Sequence, residues 1–148
     1  MDRKWKVAAW IAVGLSIALI VIPRVVPICG AMETASGQVS HMRCYYTYQA
    51  EFLISLSALL VSGFLFFIRG AEGRRLGGLF LVLLGALTIL LPQSWIIGIC
   101  SEPDAHCHLT YAWTLAGGIL LIIIGAVLAG LASRSVPGQL SHQDGEGI

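Results

Sequence analysis

Four long runs of apolar residues alternate with short polar segments along the chain. They predict membrane spans at about 7–28, 47–68, 76–98 and 111–131. Each run is near the ~20 apolar residues that a helix needs to cross the hydrocarbon core of a bilayer. A transmembrane β-strand would alternate with period two, and residues 119–131, ILLIIIGAVLAGL, do not alternate. The pattern predicts an all-α polytopic membrane protein with four transmembrane helices.

The spans leave little of the chain outside the membrane. We expect one four-helix transmembrane domain over residues 1–132 and a disordered cytoplasmic tail over residues 133–148, SRSVPGQLSHQDGEGI, which has no apolar period. The basic start at residues 2–6, DRKWK, is also typical of a signal peptide. The apolar run after it is longer than a signal peptide's, and no small-x-small cleavage site follows, which favours a retained anchor.

Composition agrees with a membrane protein and excludes several function classes. The chain is 57% hydrophobic and 11% charged, with a mean hydropathy of +0.83, whereas soluble domains are about a quarter charged. A formal net charge of +1 excludes a nucleic-acid partner, which would require a basic surface. No phosphate-binding loop, zinc-protease motif or nucleophile elbow occurs, so we expect a non-enzymatic protein without a cofactor.

Basic residues predict the orientation of the chain. Seven of them lie before span 1, between spans 2 and 3, or after span 4, while only two lie on the other side (Arg3, Lys4, Lys6, Arg69, Arg74, Arg75 and Arg134 against Arg24 and Arg43). Because cytoplasmic loops carry the excess of Lys and Arg, both termini are predicted to be cytoplasmic. The spans then form two tandem helical hairpins with extracytoplasmic loops.

Each predicted outer loop is bounded by two cysteines. Cys29 and Cys44 flank the first loop, and Cys100 and Cys107 flank the second. Because the extracytoplasmic compartment is oxidising, we expect two disulfides. Pairing within each loop and pairing between the loops both remain open.

The two hairpins also resemble each other in sequence. The second cysteine of each loop begins a Cys-x-x-Thr-Tyr pattern, CYYTY at residues 44–48 and CHLTY at residues 107–111. A proline precedes the first cysteine in both halves, as Pro23 or Pro27 and as Pro92. This indicates an internal repeat related by a pseudo-twofold axis along the membrane normal.

The outer loops also suggest a second class of function, copper or zinc handling. Their thiolate, thioether and imidazole groups suit these metals and come from His41, Met42, Cys44, His106, Cys107 and His108. Metal binding needs reduced sulfurs, which competes with the disulfide interpretation. A thiol-redox function is the related alternative, although no Cys-x-x-Cys pair is present.

Glu51 is an acidic residue inside span 2. Ionisable side chains at membrane depth are costly and often functional. The structural interpretation is that Glu51 accepts hydrogen bonds from tyrosines or loop amides, and the functional one is contact with a partner or substrate. Its equivalent in the second repeat is Thr114, so no paired carboxylate is available for proton relay.

Small residues recur at four-residue spacing in several spans, which lets helices approach closely. The pairs are Ala8/Ala12, Gly14/Ala18, Ala58/Ser62, Gly125/Ala129 and Ala126/Gly130. We expect most of them to serve contacts among the four spans and some to contact another membrane subunit.

Residues 42–51, MRCYYTYQAE, and residues 91–100, LPQSWIIGIC, together with Cys29 and Cys107, resemble a small prokaryotic four-helix membrane family. That family is numbered 4418 in the domain-of-unknown-function series. The resemblance covers about Trp5 to Leu131. Family members carry Met-x-Cys in the second loop where this chain has residues 105–107, AHC, which weakens a metal site built from two methionines.

The resemblance indicates which proteins this chain acts beside, and it does not indicate a mechanism. Such proteins resemble accessory membrane subunits that are encoded beside MacB-like ABC exporters, which combine an ATPase with an FtsX-like permease. The expected partners are therefore membrane lipid and an ABC permease, in the plasma membrane of a prokaryote.

Overall fold

The computed structural model describes residues 3–25, 32–33, 39–40, 43–93, 96 and 107–134. Its regular secondary structure consists of four helices and one short β-pair. The helices are α1 (Arg3–Val25), α2 (Arg43–Phe64), α3 (Ala71–Leu90) and α4 (Cys107–Arg134). The β-pair joins β1 (Met32–Glu33) and β2 (Val39–Ser40), which run antiparallel with Met32 opposite Ser40. The all-α prediction did not include this pair.

Every helix end differs from the predicted spans, and local chemistry explains two of the differences. α2 ends at Phe64 instead of 68 because the chain tightens into a turn, in which Phe67 N–H donates to the Phe64 carbonyl at 2.9 Å. α3 ends at Leu90 instead of 98. Pro92 lies two residues later, and proline cannot donate a helical hydrogen bond. Apolar runs continue past both of these ends, so hydropathy alone places them too late.

The helices form a ring. α1 packs against α2 and α4, and α3 packs against α4 and α2, so α2 and α4 face each other across the bundle axis. Neighbours are antiparallel, since Arg24 near the end of α1 lies over Phe52 in the first half of α2. We call the end where α1 begins and α2 meets α3 the basal end, and the opposite end the apical end.

α3 and α4 make the closest helix pair because glycines face each other at two levels. A Cβ on Gly78 would lie 2.8 Å from the Gly125 carbonyl oxygen, and one on Gly85 would lie 2.8 Å from the Gly118 carbonyl oxygen. These distances are below van der Waals contact, so no other residue fits without separating the helices. Small residues at such contacts let transmembrane helices pack backbone against backbone.

Most large apolar side chains lie on the outside of the bundle, and the inside combines small and polar side chains with a few leucines, Leu65, Leu81, Leu121 and Leu128 among them. Phe67 is 81% exposed, Leu60 68% and Trp10 66%. The buried polar side chains are Ser16, Thr47, Glu51, Ser55, Ser62, Thr88, Thr110 and Thr114. A soluble protein hides its large apolar residues instead. This distribution is that of a helical bundle whose solvent is lipid.

Three of the helices are long and apolar enough to cross a membrane: α1, α3 and residues Leu109–Ser133 of α4. The chain is therefore a helical membrane protein. α2 is not among the three, and its first half carries the polar residues Thr47, Gln49 and Glu51.

A cation–π contact joins three elements at the basal end. The Arg74 guanidinium lies 5.1 Å from the centre of the Trp5 ring, and Arg74 Nε donates to the Ile68 carbonyl at 3.2 Å. Trp5 is only 3% exposed. Arg74 therefore fixes the start of α1 against the turn between α2 and α3.

The glycine contact predicts an unequal response to alanine substitutions. Gly78→Ala should cost about 1–3 kcal/mol of unfolding free energy, because overpacking forces the helices apart. Gly130→Ala is the matched control on α4, since nothing lies within 4 Å of its Cβ position. Unfolding in mixed detergent, followed by circular dichroism, measures both. Equal effects of the two substitutions would contradict a backbone contact at Gly78.

Candidate functional site

A stripe of polar side chains runs along α2 into the core of the bundle. Thr47, Glu51 and Ser55 are four residues apart, so they share one face of the helix. Their exposed fractions are 0%, 1% and 1%. Because α2 begins at Arg43, the stripe occupies the apical half of the bundle.

α4 supplies matching hydroxyl groups from the other side of the axis. Thr110 and Thr114 are also four residues apart and are 0% and 1% exposed. The Thr114 side chain lies beside the Glu51 carboxylate. We refer to Thr47, Glu51, Ser55, Thr110 and Thr114 as the polar cluster.

Much of the hydrogen-bonding capacity of the polar cluster is unused among the residues that the structure describes. Thr114 Oγ1 donates to the Tyr111 carbonyl at 3.0 Å instead of forming a well-aligned bond to Glu51. Both Glu51 carboxylate oxygens, Ser55 Oγ and Thr110 Oγ1 have no hydrogen-bond partner within this part of the chain. Buried polar groups are usually paired, and an unpaired one costs about 1–3 kcal/mol. The cluster is therefore suited to hold something that supplies the missing partners.

A small cavity opens one helical turn apical to Glu51, between α1 and α2. Its volume is about 150 Å³, and Tyr48, Gln49 and Phe52 are among its lining residues. Arg24 forms another wall and lies 4.8 Å from the centre of the Phe52 ring. The cavity has room for several waters at ~30 Å³ each.

Most of the predicted cysteine and metal residues lie outside the described part of the chain. This applies to Cys29, His41, Met42, Cys100 and His106. Cys44 lies in the first turn of α2, while Cys107 and His108 begin α4. Both helices start at the apical end, so these backbone positions share one end of the bundle. Within the described ranges, no group of three or more His, Cys, Asp or Glu could hold a metal ion.

The structure sharpens the description of Glu51. No tyrosine of the described part donates to its carboxylate, and the loop amides considered as donors lie outside that part. The hydroxyls around it were not singled out from the sequence. The sequence pattern that could have identified them is the four-residue spacing of residues 47, 51 and 55, together with the alignment of Thr114 with Glu51 in the two similar hairpins.

The bundle and its buried polar cluster define a helical membrane protein. The chain belongs to a family described as domain of unknown function (DUF4418), which matches residues 7–131. This confirms the resemblance seen in residues 42–51 and 91–100. No curated protein and no solved structure matches the chain.

The unpaired carboxylate predicts that removing it stabilises the bundle. Glu51→Leu should raise the unfolding free energy by about 1–3 kcal/mol, because a desolvated group without a partner is replaced by an apolar one. Unfolding in mixed detergent without added metal salts measures this. Ser57→Ala, an exposed serine of α2, is the control and should change little. A comparable loss of stability in Glu51→Leu would indicate a structural partner for the carboxylate.

Proposed function

We propose that the chain is a non-enzymatic accessory subunit that acts by binding another membrane protein, the permease of a MacB-like ABC exporter. One observation carries the proposal that it binds a membrane protein. It is an apolar groove of about 520 Å³ on the outer surface, between α2 and α3.

The groove is shaped to receive a transmembrane helix. Its walls are Leu60, Val61, Phe64, Leu65, Ile68, Gly73, Leu76, Gly77 and Phe80. They provide no charged side chain. The two glycines are covered by this chain's own Leu65 and Ile68 side chains, so the surface offered to a partner consists of apolar side chains. A recess of this size supports a helix as the occupant.

Support for the partner class comes from the family. The chain belongs to the family that it resembled in sequence, and that resemblance implies a setting beside MacB-like ABC exporters. Lipid is the other expected partner, and the exposed apolar faces of α1, α3 and α4 suit it.

We place the protein in the plasma membrane of a prokaryote with both termini cytoplasmic. Six basic residues of the described chain lie at the basal end, at residues 3–6 and 69–75. Since positive charge favours the cytoplasmic side, the basal end is cytoplasmic in this proposal. α2 then forms the fourth span, and the apical end faces outward.

We also propose that the two hairpins are a duplicated unit, and burial supports this. In α2 and α4 the equivalent buried positions are Thr47/Thr110, Glu51/Thr114, Ser55/Gly118, Ala58/Leu121, Ser62/Gly125 and Leu65/Leu128. In the first helices of the hairpins they are Ala9/Gly78, Ala12/Leu81, Ser16/Gly85, Leu19/Thr88 and Pro23/Pro92. The spacing of the buried positions is therefore the same in both hairpins.

The proposed recognition surface includes the apical loops, which would be stabilised by disulfides among Cys29, Cys44, Cys100 and Cys107. The β-pair at residues 32–33 and 39–40 lies between the first two of these cysteines. It supports an ordered first loop.

Thiol labelling tests the disulfides. Purified protein should react with a maleimide at no cysteine before reduction and at four after it, because oxidising compartments favour disulfides. Mass spectrometry of the labelled chain counts the reacted sites, and mapping of non-reduced peptides identifies the pairs. Four reactive thiols without reductant would overturn the proposed disulfides and favour the copper or zinc alternative.

Affinity capture tests the partner. Tagged wild-type protein in mild detergent should recover the exporter permease from native membranes. Leu60→Trp fills the groove and should reduce recovery about tenfold, equivalent to ~1.4 kcal/mol. Leu120→Trp is the control, since Leu120 is an exposed leucine of α4 away from the groove. Quantitative mass spectrometry compares the three.

Failure to recover a permease with intact wild-type protein would overturn the partner class. Equal loss in the two tryptophan variants would overturn the groove as the binding surface.

A further inference from the structure

We propose that the polar cluster is a binding site for a monovalent metal cation, with Glu51 as its anionic ligand. The site lies on the bundle axis in the apical half and is separate from the groove between α2 and α3. It would give the protein an ion-dependent state in addition to its proposed role as a subunit.

The first argument is a buried carboxylate with an unused hydroxyl on either side of it. Glu51 Oε1, Glu51 Oε2, Ser55 Oγ and Thr110 Oγ1 are all buried without a hydrogen-bond partner among the described residues. Ser55 is one turn basal to Glu51 on α2, and Thr110 is one turn apical to Thr114 on α4. Since Thr114 lies beside Glu51, the two hydroxyls flank the carboxylate along the bundle axis, each about one turn away.

Two further hydroxyls are oriented so that they can act as ligands. Thr114 Oγ1 donates to the Tyr111 carbonyl at 3.0 Å, and Thr88 Oγ1 donates to the Leu84 carbonyl at 3.0 Å. The glycine contacts between α3 and α4 place Thr88 near the level of Gly118, one turn basal to Thr114. A hydroxyl that donates its proton to the backbone keeps its lone pairs for a cation.

The ligand chemistry selects a hard cation. Every polar atom of the site is a carboxylate or hydroxyl oxygen, and hard cations prefer such oxygens. Thiolate and imidazole, which suit zinc and copper, are absent from the described residues of the cluster.

The charge of the site selects a monovalent ion. The cluster contains one carboxylate, so one positive charge makes it neutral. A divalent ion would leave an excess charge buried in an apolar bundle, which is strongly unfavourable. Arg24 does not neutralise Glu51, because its guanidinium lies over Phe52 and neither carboxylate oxygen has a hydrogen-bond partner in the described part.

The apical cavity lies next to the site on the same helix. Tyr48 and Gln49 line it, and they are three and two residues before Glu51.

Thermal unfolding of the purified protein in detergent tests the site. NaCl, KCl or LiCl replaces choline chloride at constant ionic strength, and tryptophan fluorescence reports the midpoint. A ligand that binds only the folded state raises the midpoint as its concentration increases. For the wild type we expect a saturating rise with at least one of the three ions. Glu51→Gln should abolish the rise, while Ser57→Ala should retain it.

A second variant keeps the test decisive if Glu51→Gln does not fold. Thr110→Val removes one proposed ligand and keeps the carboxylate, so half-saturation should need a several-fold higher ion concentration. The proposal is overturned if no ion differs from choline in the wild type, or if Thr110→Val matches the wild type. It is also overturned if infrared spectroscopy shows a protonated carboxylic acid that disappears in Glu51→Gln and persists at saturating salt.

Discussion

Close packing of helix backbones is the constraint on which this structure depends. In a lipid solvent, apolar side chains gain nothing by leaving the surface, so helices associate through contact area and polar groups. α3 and α4 obtain that contact where Gly78 meets Gly125 and Gly85 meets Gly118. The interior combines small and hydroxyl-bearing residues with a few leucines, Leu65, Leu81, Leu121 and Leu128 among them, while most of the other large apolar side chains face outward.

The two hairpins satisfy this constraint to different degrees. Positions that hold Gly118 and Gly125 in α4 hold Ser55 and Ser62 in α2. Serine keeps neighbouring helices further apart, and the Ser62 hydroxyl bonds to its own helix at the Ala58 carbonyl, at 2.7 Å. α1 and α2 therefore pack less closely than α3 and α4. Under the proposed duplication, Ser55 of the polar cluster occupies the position that Gly118 holds in α4.

Hydropathy predicted the four helices because each contains a long apolar run, and the short cysteine-containing segments led to the family. It misplaced the ends of α2 and α3, since hydrogen bonding after Phe64 and proline at residue 92 end these helices inside apolar sequence. The four-residue rule for small residues found Gly125 but not its partner Gly78, and it included Gly14 and Gly130, whose Cβ positions are open. Pairing across helices depends on which faces meet, and a single helix does not contain that information. Glu51 stood out by charge, whereas Thr110 and Ser55 became relevant only once the fold placed α4 across the axis from α2.

The Arg74 contact at the basal end has a mechanical consequence. It fastens the start of α1 to α3 and to the turn after α2 at the basal end. The two hairpins also meet in the apical half, where the Leu19 side chain of α1 covers Gly117 of α4. Contacts at two separate levels oppose a change of tilt between the hairpins, so the polar cluster is held in a fixed geometry.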